Sequence, residues 1–272
     1  MIYFSPAKIN LGLQILERRE DGFHNLRSVM VPIGLCDIIE INQRSGDEAP
    51  LQFSQSGFRF ENDTDRNLCI SAWKLMAEER ELPPVAIHLH KQIPVGSGLG
   101  GGSSNASAVL KALNDIPGSP VPAKKMETLA ARLGSDCPFF LHDLPMLLEG
   151  RGEILSRVRL SLMNHYLVIL FPGIPVSTAD AYAAVTPAIP TVHLKELIAL
   201  PVNKWRDTVV NDFEISAFSL HPLLQELKQA LYSAGALYAS MSGSGSSLYG
   251  IFESPPELPG ELRDFVIWQG AA

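Results

Sequence analysis

Cysteine is scarce in this chain: Cys36, Cys69 and Cys137 are odd in number, far apart and never arranged as CxxC. That excludes a disulfide framework and a zinc knuckle, and fits reduced thiols that pack as small apolar side chains. Positive charge is short as well. The net charge is −7, so nucleic acid held by bulk electrostatics is not an expected partner, while a local basic pocket for a small anion stays open. No apolar run approaches the ~20 residues of a membrane-spanning helix. The opening MIYFSPAKIN carries a lysine and no long apolar stretch, unlike a secretory leader. The expected setting is the cytoplasm, with no membrane and no obligate protein partner.

What is present is the composition of a globular enzyme, 46% hydrophobic and 19% charged over 272 residues, enough for one large or two ordinary domains. Residues 1–42 read as strands around a charged turn at Asp21-Gly22, with Pro32 and Gly34 marking an edge or bend. Residues 43–66 are polar and read as turns and short strands. Leu68, Ala72, Leu75 and Met76 predict a helix that Asp65 would cap. Val85, Ile87 and Leu89 alternate with Ala86, His88 and His90, which predicts a half-buried strand. The histidine pair offers a metal site or, more simply, a solvated strand face.

Ala106, Val109, Leu110 and Leu113 then predict a helix from about Ser104, with a serine as N-cap. Met126, Leu129, Ala130 and Leu133 predict another that ends at Gly134. Short strands follow near 149–152 and over HYLVILF, residues 165–171. An amphipathic helix carries Leu223, Leu224, Leu227 and Leu231, and LYASMSGSGSSLYGIF reads as strand, glycine turn, strand. Mixed elements with strands clustered early suggest an α+β architecture, with a soft boundary near residue 150 dividing 1–150 from 151–272.

One stretch asks for a ligand. PVGSGLGGGSSNASA, residues 94–108, places five glycines between a predicted strand and a predicted helix. Bare backbone there lets N–H groups converge on an anion, and the helix N-terminus adds partial positive charge; phosphate is the natural guest. A flexible connection or close helix packing is the plainer alternative. It is not a Walker loop, because Ser103 and not lysine follows Gly102. Gly96, Gly98 and Gly101 spell GxGxxG, but the acidic candidate Asp115 has no strand before it, so a dinucleotide site fits poorly.

PVGSGLGGGSSNAS resembles the central phosphate-binding motif of the galactokinase, homoserine kinase, mevalonate kinase and phosphomevalonate kinase (GHMP) superfamily. PAKINLGLQI, from Pro6, is similar to its first motif and MSGSGSSLYGIF, from Met241, to its third, in the family's order. The first motif lacks the Glu-His element of galactokinases and mevalonate kinases. Together with GSDCPFFL, GRGE and NDFE, it closely resembles the branch of the non-mevalonate isoprenoid route whose acceptor is a cytidine diphosphate-linked methylerythritol.

The resemblance implies a two-domain fold, an N-terminal domain like domain 2 of ribosomal protein S5 and a ferredoxin-like C-terminal one. It also implies an ATP-dependent kinase for a small-molecule alcohol. Lys8 and Asp136 would be the catalytic pair; alone, Asp136 reads first as a turn aspartate, and a snorkelling surface lysine is the lesser alternative for Lys8. ATP would be met by Asn67 and Lys91 near the adenine and by the loop residues Pro94, Val95, Gly96, Ser97, Gly98, Leu99, Gly100, Gly101 and Gly102, with Ser103 and Ser104 supplying hydroxyls or the cap. The acceptor would meet Asn10, Phe23, His24 and Tyr182, the aromatics otherwise reading as core. Mg²⁺ is expected, its protein ligands unassigned. Phe23, Ser97 and Glu149 depart from the resembled pattern. A different alcohol acceptor, a non-catalytic sensor on the same fold and, last, a nicotinamide oxidoreductase are the competing readings.

Overall fold

The computed structural model describes residues 1–45, 49–58 and 67–272. Two long strands open the chain, β1 (Ile2–Arg18) and β2 (His24–Gln43), paired with each other. The expected turn joins them: Gly22 has φ +84°, and the Arg19 N–H donates to the Phe23 carbonyl at 2.8 Å. Then follow β3 (Leu51–Gly57), α1 (Leu68–Glu79), β4 (Val85–Lys91), α2 (Gly101–Asn114), α3 (Ala123–Leu133), β5 (Met146–Glu149), β6 (Ile154–Arg157) and β7 (Tyr166–Leu170). The rest is α4 (Thr178–Ala184), α5 (Leu194–Leu197), α6 (Phe213–Leu220), α7 (Pro222–Ser233), β8 (Tyr238–Met241), β9 (Leu248–Phe252), α8 (Gly260–Arg263) and β10 (Val266–Ala271).

The contacts resolve into two compact units that interleave along the sequence. The first holds Met1–Ala7, Leu35–Val95 and Gly100–Asp143; the second holds Lys8–Gly34, Gly96–Leu99 and Leu144–Ala272. The last cut falls between Asp143 and Leu144, and Lys8–Gly34 and the middle of the glycine loop join the later unit.

In the first unit β4 pairs antiparallel with β2 and parallel with β3. Parallel neighbours need a crossover, and the segment containing α1 supplies it. Val85, Ile87 and Leu89 of β4 point inward as their alternation predicts, with Ile39 and Ile41 of β2. Against them pack Ala72 and Met76 of α1, Ala106, Val109, Leu110 and Leu113 of α2, and Met126 and Leu129 of α3. In the second unit β2 pairs with β5 and β5 with β6, while β10, β7, β9 and β8 form an antiparallel sheet in that order. Leu224, Leu227 and Leu231 bury one face of α7, which packs on β8 and β9; Leu223 stays largely exposed.

Several local expectations are corrected. Pro32 and Gly34 lie inside β2, without a break. The strand pairs with β5 over Ser28–Met30 and with β4 over Ile38–Gln43, so Pro32, which has no N–H to donate, sits between the two ladders. Asp65 lies outside the described residues, and the cap of α1 is Asn67, whose Oδ1 accepts the Cys69 N–H at 2.9 Å. Helix α2 begins at Gly101, three residues before Ser104, and no serine caps it: Gly100, in the left-handed conformation, occupies the N-cap position. Gly134 does end α3, in extended backbone and not as a left-handed cap.

The thiols are unpaired cysteines. Burial pushes the Cys69 thiol up to about 12 and that of Cys137 to about 11. Cys36 is half-buried and also raised, by burial and then by the charge of Asp37. Since the thiolate is the nucleophile, iodoacetamide near neutral pH is expected to modify Cys36 first and slowly, with Cys69 and Cys137 untouched until denaturant is added. Counting adducts by mass spectrometry checks this; ready labelling of Cys69 in the folded chain would contradict it.

Candidate active site

The glycine loop follows β4 and runs into α2, the order that phosphate binding requires. Gly96, Gly98 and Gly100 have φ of +65°, +78° and +71°, so the chain turns through conformations that side chains resist. The first turn of α2 contains no acidic residue, and its Ser104 N–H is the one that closes back on Gly100. The N–H groups before Ser104 have no intrahelical partner, and no carboxylate of that turn competes with an incoming anion.

In the second unit the motifs around this loop come together. Lys8, 3% exposed on β1, donates from Nζ to the Gly98 carbonyl at 2.8 Å and to Asn10 Oδ1 at 2.6 Å. Ser242 donates from Oγ to the same Gly98 carbonyl at 2.9 Å, and the Ser247 N–H reaches the Ser97 carbonyl at 3.0 Å. Asn10 is fixed in turn: its Nδ2 donates to Ser28 Oγ at 2.8 Å, and Tyr249 donates to its carbonyl at 2.7 Å. Residues from the beginning, middle and end of the chain therefore converge on one carbonyl oxygen.

The segment NDFE locks the third motif in place. Asn211 donates from Nδ2 to the carbonyls of Met241 and Gly243, each at 2.8 Å. Buried Glu214 accepts from the Met241 N–H at 2.8 Å, from Ser240 Oγ at 2.9 Å and from Lys228 at 2.6 Å. Asp212 accepts the Ile15 N–H at 2.7 Å, tying the segment to β1.

Asp136 belongs to the first unit, half-buried in the turn between α3 and the 3-10 turn Pro138–Leu141. That turn is bound to α2, because Ser107 donates from Oγ to the Cys137 carbonyl at 2.7 Å. Ser103 lies in the first turn of α2, and Ser104 accepts from Ser5 Oγ at 2.7 Å, a buried bond. Lys91 is 3% exposed and ion-paired with buried Asp37. Burial lowers its pKa while the adjacent carboxylate opposes the fall.

With this geometry in place, comparison with known proteins is decisive. Residues 67–143 match the GHMP kinases N terminal domain and residues 196–264 the GHMP kinases C terminal domain. A 4-diphosphocytidyl-2-C-methyl-D-erythritol kinase of Parabacteroides distasonis is 43% identical, covering 99% of each chain. One of Bacteroides fragilis is 46% identical over 94% of this chain and 93% of its own. The chain belongs to the GHMP kinases. A crystal structure of a 4-(cytidine 5'-diphospho)-2C-methyl-D-erythritol kinase superposes with TM-score 0.81 at 35% identity, covering 94% of this chain and 91% of its own. A Streptococcus pneumoniae phosphomevalonate kinase shares the fold, with TM-score 0.66 at 15% identity over the full length of both.

The acceptor candidates of this GHMP kinase are partly gathered. His24 and Tyr182 stack at 5.2 Å with 20° between their planes, and Tyr182 meets Phe213 edge-on at 4.8 Å. Phe23 is half exposed, and its ring is met by the Arg151 guanidinium at 4.9 Å, not by Tyr182. Glu149 is answered by Arg27 at 3.2 Å and lies 3.5 Å from His193 Nε2. The His88 and His90 rings bond to Ser54 and Ser56 of β3, and among the described residues no group of three metal-ligating side chains forms. Asp115 receives the Tyr3 hydroxyl at 2.7 Å.

Sequence reasoning does not single out Asp37, Asn105, Ser28 or Tyr249. For Asp37 a signal exists: it stands in the apolar phase of a strand, between Leu35 and Ile39.

Proposed function

We propose that this GHMP kinase transfers the γ-phosphoryl group of ATP to the 2-hydroxyl of 4-diphosphocytidyl-2-C-methyl-D-erythritol. The observation that carries the reading is the meeting of Lys8 and Ser242 on the Gly98 carbonyl, which ties all three family motifs to the phosphate loop. The names of relatives more than 40% identical along almost the whole chain supply the acceptor.

Phosphoryl transfer needs positioning and charge neutralisation more than covalent chemistry. The loop from Pro94 to Gly102 cradles the phosphates with main-chain N–H groups. The fit is sterically open: a Cβ on Gly102 would meet only Leu68, at 3.7 Å. Ser103 and Ser104 line the first turn, and Asn67 and Lys91 border the adenine. Asp136 takes the proton of the acceptor hydroxyl, whose oxygen bonds to the γ-phosphorus as the bond to the bridging oxygen of ADP breaks. Lys8 steadies charge at the reacting oxygen. Mg²⁺ bound with the nucleotide would supply neutralisation of the phosphate charge. Asn10, Phe23, His24 and Tyr182 take the acceptor, with aromatic faces for the cytosine. Residues 1–150 contribute the ATP and catalytic groups, and residues 151–272 complete the acceptor site.

Coupled-assay ADP release with ATP, Mg²⁺ and the acceptor tests the proposal. The expected result is acceptor-dependent ADP, with CMP competing against the acceptor and not against ATP. Equal or faster turnover with homoserine or mevalonate, or no competition by CMP, would overturn the acceptor assignment.

A further inference from the structure

The inward-facing positions of β2 read Leu35, Asp37, Ile39, Ile41, and those of β4 read Val85, Ile87, Leu89, Lys91. A charge stands at one end of each series. The register pairs Ile38 with His90, so one residue further Asp37 comes opposite Lys91, and the two form an ion pair. Asp37 is 0% exposed. A buried ion pair is weak as a source of stability, because apolar residues of like volume often do as well. Its other bonds show what it is suited for.

Asp37 Oδ1 accepts the N–H of Gln92 at 2.7 Å and of Ile93 at 2.8 Å, while Oδ2 accepts Asn105 Nδ2 at 2.8 Å alongside Lys91. Gln92 and Ile93 are the last residues before Pro94, where the glycine loop begins. Asn105 lies on α2, just past the loop's far end. One buried carboxylate thus holds both flanks of the loop. Asn105 Nδ2 is oriented by a second bond, to Ser5 Oγ at 3.0 Å. The Lys91 ammonium lies so close to Gly101 that a Cβ there would stand 2.7 Å from Nζ.

We infer that Asp37 is a positioning residue for the nucleotide: it fixes the spacing between the two flanks of the loop, so that the N–H groups at the start of α2 stay aimed at the phosphates. The inference rests on the reading that this loop takes ATP. Displacing such groups by even about 1 Å weakens what they bind and orient.

Asn105→Ala tests it, because it frees the α2 flank and leaves the ion pair whole. Calorimetric titration with ATP alone is expected to give a Kd about tenfold weaker than wild type, the equivalent of about one hydrogen bond. In turnover, KM for ATP should rise similarly, with KM for the acceptor unchanged. An unchanged ATP Kd in the folded variant overturns the inference, as does a loss of Tm with both KM values moved equally. If Asn105→Ala does not fold, Ser5→Ala decides by the same criteria, with an expected ATP Kd about threefold weaker. Wild-type protein that binds ATP but leaves the acceptor untouched defeats the acceptor reading, and the Kd comparison still judges Asp37. Wild-type protein that binds no ATP defeats both.

Discussion

Asp136→Ala is expected to lower kcat by about 10²–10⁴-fold, the usual contribution of a positioned general base, with KM for ATP changed by less than about twofold. The turn that carries Asp136 is bound through Cys137 to Ser107, one turn inside α2, so this residue is held beside the helix whose N-terminus is proposed to take the phosphates. On the proposed mechanism, removing it takes away an interaction made as the acceptor proton leaves, not one that holds the nucleotide. The split between kcat and KM is therefore the informative reading. Steady-state kinetics with both substrates varied checks it. A variant with wild-type kcat would keep the kinase and remove Asp136 from its chemistry.

Gly98→Ala should disable the glycine loop, where the neighbouring Gly96→Ala only weakens it. Both glycines have positive φ, +78° and +65°, so alanine at either costs about 1–2 kcal/mol from the left-handed backbone alone. At Gly96 nothing lies within 4 Å of the added Cβ. At Gly98 that Cβ would overlap the Ser242 carbonyl oxygen and stand 3.0 Å from the Gly245 carbonyl oxygen. Both obstacles are backbone and cannot swing aside. Overpacking of this kind costs about 1–3 kcal/mol more, which places the Tm of Gly98→Ala roughly 2–12 °C below that of Gly96→Ala. The shift would also displace the carbonyl that receives Lys8 and Ser242, so kcat should fall together with ATP affinity. Differential scanning calorimetry and ATP titration on the two variants check the contrast; equal behaviour would mean that the third motif does not brace the loop.

Much of the fold is legible in the order of the residues alone, for definite reasons. Apolar periodicity locates the helices around Met76, Leu110, Leu129 and Leu227 and the strand around Ile87, because burial of one face is a local property of spacing. The exact start of α2 is not legible in that way. Serine is the statistical favourite for the cap, but the left-handed turn at Gly100, followed by two further glycines, starts the helix earlier. Asn67 illustrates a different limit. Its place in the family pattern points to the nucleotide, yet its Oδ1 caps α1, a role open to any Asn, Asp, Ser or Thr at that point.

By itself, then, the sequence determined the class of fold, the place of the glycine loop between strand and helix, and the family, since three ordered motifs and residue periodicities are written along the chain. What only the tertiary structure decided are the long-range hydrogen bonds. Lys8, Ser242 and Gly98 lie far apart in sequence yet share one carbonyl. Asp37 meets Gln92, Ile93 and Asn105 on one carboxylate. Such contacts depend on strand register and on which buried polar group finds a partner. Both are settled by the burial of the whole chain at once, because a polar group inside must be satisfied by whatever the fold brings to it.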